Sequence, residues 1–393
     1  MTPVCLTRRY AQLLSRSQNE VHGGGQPLHC PRHGPDSNSE IHLQREESDL
    51  VDKYNLTVKI GHGTFGEVYR GYRKTDKKTV AIKRFVQDGG IGPQEWVPHH
   101  ADARSPPDQA DGAVGLLDAK NFATTCYMVM PYYEADLFGV LSSKLVLTVP
   151  QQKTIMLQTL MGIAALHCKK IIHRDLKTAN IMISAGGVIK IGDFGLAKPF
   201  NSHMERFTPN VVTLWYRCPE LLLGERNYGT AIDMWSAGCI MGELLNKKPI
   251  MQSNTEQGQL KAIVGMIGPI NEESYPGCTA LPKYKEVESL LNNPSRLTNL
   301  RTLFWEGGKD YIDLMEKLLA LNPNKRITAE VAIEHPYFDA SPVPVANLKT
   351  VLDKIPEISK FELNVRNKST QNLEPPRKRK SEAMTKDIFS NRF

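Results

Sequence analysis

Four short motifs follow one another in a fixed order along the 393 residues, and that order restricts the possible folds more than any bulk property of the chain does. The first is Gly61-His62-Gly63-Thr64-Phe65-Gly66-Glu67-Val68, a glycine-rich run between two β-like stretches. Its glycines carry no Cβ and tolerate positive φ, so backbone there can close on a phosphate. No helix opens after it, which separates it from the dinucleotide-binding fingerprint. Val80-Ala81-Ile82-Lys83 then places an ammonium on a third strand, within reach of phosphates held under the glycine run. His173-Arg174-Asp175-Leu176-Lys177-Thr178-Ala179-Asn180 supplies a carboxylate, Asp175, suited to orient an attacking hydroxyl and accept its proton, and an amide, Asn180, suited to a metal ion. Asp193-Phe194-Gly195, after the strand-like Val188-Ile189-Lys190-Ile191, adds a metal-binding carboxylate. A lone strand lysine is usually solvated and a lone glycine run is often a hairpin turn, whereas the four in sequence point to one phosphate chemistry.

The pattern around these motifs divides in two. Leu56–Ile60, Gly66–Tyr72 and Thr79–Lys83 are short β-like runs joined by Gly-rich or Asp-Lys turns, an antiparallel meander. After Pro150, which suits a first helical turn, Ile155, Met156, Leu160, Ile163, Ala164 and His167 recur at helical spacing, with further helical stretches at 230–246, 256–267 and 311–320. A strand-rich portion ahead of a helix-rich one predicts an α+β fold of two lobes. Residues 1–50, rich in Gly, Pro, Ser, His and Gln without an apolar period, are expected to form a disordered arm. Residues 339–393 are expected to form a flexible tail, whose Arg377-Lys378-Arg379-Lys380 is compatible with a nuclear import signal.

Composition removes several classes. Hydrophobic residues make up 40% and charged residues 23%, which excludes disorder of the whole chain. Seven scattered cysteines without a C-x-x-C pair read as reduced thiols, not as a disulfide framework or zinc site. No run approaches the apolar length of a membrane span or of a signal peptide, so no membrane association is expected. The net charge of +7 is too small to argue for direct nucleic-acid binding. A cytosolic or nuclear location follows.

Over residues 54–338 the chain resembles the eukaryotic protein kinase family. The resemblance implies a small β-rich lobe over about 54–130, a larger helical lobe over about 134–338, and ATP with Mg²⁺ as cofactors. It implies a nucleotide site made by Ile60, Gly61, His62, Gly63, Thr64, Phe65, Gly66, Val68, Ala81 and Lys83, a hinge at Met130-Pro131-Tyr132-Tyr133 whose Tyr133 backbone meets adenine, and Asp136 on the ribose. Asn180 and Asp193 would hold the metal, and Asp175, Lys177, Lys83 and Thr213 would form the catalytic set. Lys177, two positions after Asp175, is like the Ser/Thr branch. Glu220 of Cys218-Pro219-Glu220 would pair with Arg326, a structural role shared by Asp233.

Val211–Arg217 and Pro219–Gly224 are similar to the cyclin-dependent kinases, which modify Ser or Thr followed by proline. Pro249-Ile250-Met251-Gln252, with Asn254–Gln257 and Gln259-Leu260, is similar to the transcription-elongation members of that branch. This implies a cyclin T-like partner, the C-terminal repeats of RNA polymerase II as protein substrate, and a place in the nucleus. Thr208 matches the activation-loop phosphosite, with Arg174 as one arm of its grip and Lys198 where the family usually has arginine, a point charge in place of a fork. Met130 occupies the gatekeeper position, where relatives carry phenylalanine.

One segment departs from this pattern. The kinase fold needs a helix after the third strand, bearing a glutamate for Lys83 and a docking face for the cyclin. Residues 91–111 contain Pro98, Pro106 and Pro107 and no apolar period, and their lone glutamate, Glu95, precedes Pro98, so no such helix is expected. Reverse translation of residues 92–112, read one nucleotide later, permits G-F-P-I-T-x-M-R-E-V-R-L-I-K-Q-M, in register with Ala113-Val114-Gly115-Leu116-Leu117 as the next strand. The segment reads as a compensated pair of frame slips that replaced the helix, with a divergent loop as the alternative. The expectation is a chain that binds ATP weakly and phosphorylates poorly, so a kinase-like interaction protein stands beside the active kinase. A dinucleotide-dependent oxidoreductase is opposed by the missing strand–glycine loop–helix unit.

Overall fold

A computed structural model describes residues 48–63, 66–86, 112, 117–121, 125–133, 135–143, 145–184, 186–200, 211–292 and 299–353. The N-terminal lobe is a five-stranded antiparallel sheet of β1 (Tyr54–Gly63), β2 (Gly66–Arg73), β3 (Thr79–Val86), β4 (Asp118–Asn121) and β5 (Thr125–Pro131), in the order β1-β2-β3-β5-β4. Cross-strand partners share a face, so the pairs Val68 with Lys83 and Arg70 with Ala81 bring Val68, Ala81 and Lys83 to one side. The alternate residues Val80, Ile82, Tyr127 and Val129 are buried on the other side. Gly66 has φ +140°, and a Cβ there would lie 1.9 Å from the Arg84 carbonyl oxygen, so no other residue fits the turn.

Two sequence boundaries move. Helix α1 (Ser48–Lys53) puts Leu50, fully buried, into the core under the sheet, so the expected arm of residues 1–50 stops short of Ser48. The rest of that arm lies outside the described residues. The strand expected at 113–117 is found at 118–121, its ladder opened by Leu117 N–H donating to Val129 O at 2.8 Å, while 113–116 lie outside the described residues.

The C-terminal lobe is built on α3 (Val149–Cys168) and α5 (Ala231–Asn246), most of whose residues are buried, with α2 (Leu137–Ser142) and α4 (Pro219–Leu222) between the strands and loops of the site. α6 (Glu256–Ile267), α7 (Tyr284–Asn292), α8 (Leu300–Leu303), α9 (Lys309–Leu318) and α10 (Ala329–Ile333) complete it. The helix expected at 311–320 starts two residues earlier because Gly308, at φ +80°, breaks the chain just before Lys309. Two short sheets, β6-β8-β9 (Ala135–Asp136, Ile181–Ile183, Ile189–Ile191) and β7-β10 (Ile171–Ile172, Lys198–Pro199), fix the loops that carry the second pair of motifs.

The expected tail does not begin at 339. Lys153 Nζ donates to Ala340 O at 2.7 Å, Thr154 Oγ1 to Val345 O at 2.9 Å and Gln151 Nε2 to Thr350 Oγ1 at 2.7 Å. Leu348 and Val351 are buried, so residues 339–353, including α11 (Lys349–Leu352), form a strap across the start of α3. Pro342 and Pro344 bring no amide donors, and the Ala340 and Val345 carbonyls are met by helix side chains.

Beneath the lobe, the Arg326 fork meets Glu220 at 2.7 and 3.0 Å, as the family resemblance implies, and also donates to Ala231 O and Ala320 O. Both side chains are at most 2% exposed. Glu220→Gln leaves a buried guanidinium uncompensated and is expected to cost about 3–5 kcal/mol of unfolding free energy in urea. Arg326→Met, which leaves Glu220 unpaired, should cost a similar amount, and a loss below about 1 kcal/mol for either would contradict this assignment.

Candidate active site

The loop from His173 to Asn180 is held from below by one buried carboxylate. Asp233, in the first turn of α5, accepts from His167 Nε2 at 2.9 Å, His173 N–H at 2.9 Å and Arg174 N–H at 3.0 Å. Burial pushes its pKa up, but these donors and the nearby histidines overcome that and hold it below the usual carboxylate range. The contacts sustain Arg174 at φ +65°, a conformation a long side chain rarely adopts.

Asp175 lies at the centre of the site. Its Oδ1 accepts from Thr213 Oγ1 at 2.8 Å and Thr213 N–H at 3.1 Å. Its Oδ2 accepts from Lys177 Nζ at 2.7 Å, and Lys177 Nζ also donates to Thr213 Oγ1 at 3.1 Å. Asn180 Nδ2 donates to Asp175 O at 2.7 Å, which leaves the amide oxygen as the end that can meet a cation. Three of the four expected catalytic residues, Asp175, Lys177 and Thr213, thus form one hydrogen-bonded unit joining the catalytic loop to residues 211–217.

The fourth, Lys83, crosses from β3 to Asp193, with Nζ 2.5 Å from Oδ1. Asp193 stands at φ +55°, its backbone turned so that Gly195 N–H reaches the carboxylate. Burial works to raise the Asp193 pKa, and the Lys83 charge and hydrogen bond outweigh it, so the group sits below its ordinary range. Gly192 N–H donates to Asn180 O at 2.8 Å, and His173 Nε2 meets Gly192 O at 2.9 Å, which sets the two expected metal ligands on adjoining segments. Among the described residues no three His, Cys, Asp or Glu side chains cluster as a metal cage. An amide and a carboxylate suit Mg²⁺, which keeps waters and takes phosphate oxygens as its remaining ligands.

Other expected positions are placed less fully. Asp136 is buried and its Oδ1 caps α2 by accepting Gly139 N–H at 2.8 Å, so the carboxylate assigned to ribose also anchors a helix. Ile60 falls at a register shift in β1, Tyr133 follows β5, and Gly61 pairs with Val68. Thr64, Phe65, Thr208 and Glu95 lie outside the described residues, as does the side chain of His62. Arg174 places Nε on Leu196 O at 2.6 Å and Nη1 on Tyr228 Oη at 3.2 Å. Lys198, in β10, is exposed.

Two groups were not singled out from the sequence. Glu243, buried in α5, accepts from Tyr216 Oη at 2.6 Å and Thr178 Oγ1 at 3.1 Å, tying the catalytic loop to residues 211–217 from beneath. Burial raises its pKa, with the two hydroxyls acting against that. An acid set among the apolar residues after Asp233 in the Ala231–Asn246 run was its available signal. The second group surrounds Val212, buried at φ +66°, whose carbonyl accepts from Arg217 Nε at 3.3 Å and Nη2 at 3.1 Å. Arg217 Nη1 in turn donates to Glu256 Oε1 at 2.8 Å.

Residues 54–338 match the protein kinase domain family. Human cyclin-dependent kinase 9 is 40% identical over 321 residues, covering 77% of this chain and 85% of its own length. The zebrafish (Danio rerio) cyclin-dependent kinase 9 is 38% identical over 349 residues, covering 84% and 90%. A probable cyclin-dependent kinase 9 of Caenorhabditis elegans is 37% identical over 363 residues, covering 80% and 75%.

Asp233 gives the site a defined acid sensitivity. A carboxylate with a depressed folded pKa adds stability that is present above its unfolded value, near pH 4, and is lost as pH falls through the lower folded value. Asp233→Asn is therefore expected to lose about 2–4 kcal/mol at pH 7 in urea unfolding, with a gap to the parent that closes as pH drops below about 4. A gap that does not change with pH would contradict this.

Proposed function

This chain belongs to the protein kinase family, in its cyclin-dependent branch, and from that premise we propose that it transfers the terminal phosphoryl of ATP to a serine or threonine hydroxyl that precedes proline. The observation that carries the reading is the Asp175–Lys177–Thr213 unit. A carboxylate held on both oxygens has one orientation to offer an incoming hydroxyl, from which it would accept the proton as the new O–P bond forms and the bond from the terminal phosphorus to the bridging oxygen breaks, ADP leaving with that oxygen. Lys177, beside it, supplies a positive charge next to that hydroxyl's path. ATP with Mg²⁺ brings the phosphoryl group and shields its charge when bound. Asn180 and Asp193 would hold the metal, and the face carrying Val68, Ala81 and Lys83 would cover the nucleotide.

The preference for proline rests on Val212. Its carbonyl is taken by Arg217, so a substrate backbone N–H at the next position would stay unpaired at a cost of about 1–3 kcal/mol. Proline has no N–H to leave unpaired. A cyclin partner is supported by the relatives' names, a T-type cyclin with the polymerase II repeats as substrate by the similarity of Pro249–Gln252 with Asn254–Gln257, and a nuclear site of action by the basic Arg377–Lys380 run.

A second reading, a catalytically impaired kinase-like interaction protein, is favoured by Lys83. Among the described residues its ion-pair partner is the expected metal ligand Asp193, which engages that carboxylate. Radiolabelled phosphate transfer to a Ser-Pro repeat peptide, with a T-type cyclin present, separates the two. The chain in which the shifted frame restores the helix should be at least about tenfold faster than the chain as it stands. Asp175→Asn in that faster chain should fall by about 10²–10⁴-fold. Equal rates for the two parents would remove the impairment, and an undiminished Asp175→Asn would remove the kinase mechanism.

A further inference from the structure

The proline-directed reading leaves open what keeps the Arg217 fork on the Val212 carbonyl. A β-branched residue at φ +66° is strained and persists only where its surroundings over-determine it. Arg217 presents Nε and Nη2 to that carbonyl, and its remaining edge, Nη1, meets Glu256 Oε1 at 2.8 Å. The guanidinium is rigid and planar, so fixing both edges fixes its plane. Its side chain is 13% exposed, whereas that of Glu256 is 38% exposed.

Glu256 is itself held. It is the first residue of α6, directly after Thr255, whose Oγ1 caps the helix by accepting Gly258 N–H at 3.1 Å, and a carboxylate at a helix start is favoured by the helix dipole. Its second oxygen takes Lys283 Nζ at 2.8 Å, and Lys283 N–H donates to Leu223 O at 3.0 Å. Three separate parts of the large lobe therefore converge on one carboxylate.

We propose that Glu256 is a specificity-determining positioning residue, one that sets the preference for proline by clamping Arg217 on the Val212 carbonyl without touching substrate. The proposal rests on the proline-directed reading. With Glu256 neutral, the fork keeps one anchored edge, Val212 loses part of its support, and its carbonyl becomes free to turn and accept an N–H from a residue other than proline. Lys283 contributes less, because its pair with Glu256 is solvent-exposed on both sides.

The test uses the full chain with Mg²⁺ and a non-hydrolysable ATP analogue. Fluorescence anisotropy reports its binding of two labelled peptides that differ only in Ser-Pro or Ser-Ala. Glu256→Gln should reduce the Ser-Pro over Ser-Ala preference by at least about fivefold, chiefly by tightening Ser-Ala, with Glu256→Asp recovering part of it. Arg217→Lys should lose the preference and Lys283→Ala should change it by less than about twofold. If Arg217→Lys loses the preference while Glu256→Gln keeps it, or if Glu256→Gln weakens both peptides equally, the proposal is overturned and the proline-directed reading stands. A parent chain that binds both peptides alike overturns both.

Discussion

The buried Asp233 carboxylate is the contact on which the rest of the site depends. It satisfies two consecutive backbone amides, His173 and Arg174, and a histidine, and it does so from a helix locked into the core of the large lobe. Those amides would otherwise be orphaned at a bend where Arg174 is forced to positive φ. The bend aims Asp175 toward Thr213 and Lys177. A rigid scaffold thus reaches a functional loop through one charge-assisted set of hydrogen bonds, stronger than neutral ones in a water-poor interior.

The same device appears three times. Arg174, Asp193 and Val212 are non-glycine residues at positive φ, and each belongs to a segment of the site. Asp233 holds the first, Lys83 and Gly195 the second, Arg217 the third. Strain retained at these positions and balanced by specific polar contacts means that the site's geometry is set by partners, not by local propensity. Glu243 adds a tie from beneath, with Tyr216 and Thr178 meeting on one buried carboxylate.

The sequence made the chemistry legible because phosphoryl transfer needs particular groups at particular places, and Gly61–Val68, Val80–Lys83, His173–Asn180 and Asp193–Gly195 show them as residue types. The long helices were legible in two ways, since Glu256–Ile267 buries Gln259, Leu260, Ile263 and Val264 at helical spacing, whereas Ala231–Asn246 is an apolar run buried from Ile232 to Leu244 without a break. Helix Ser48–Lys53 and the strap at 339–353 were not, because buried Leu50 anchors the first, while Leu348, Val351 and a few carbonyl contacts hold the second, and neither leaves a period. The Val212–Arg217–Glu256 clamp was also hidden: its members lie in plain sight, but their meeting is a property of the packed lobe. Residues 91–111, which lie outside the described residues, depart from the expected pattern in sequence alone, through their prolines and missing apolar period.

The central claim is that Asp175, Lys177 and Thr213 act as one unit. A double-mutant cycle on transfer rate, with Lys177→Met, Thr213→Val and both together in the helix-restored chain, measures that directly. The double variant is expected to be about as slow as the slower single one, because either change already dismantles the unit. Losses that simply add would contradict the claim.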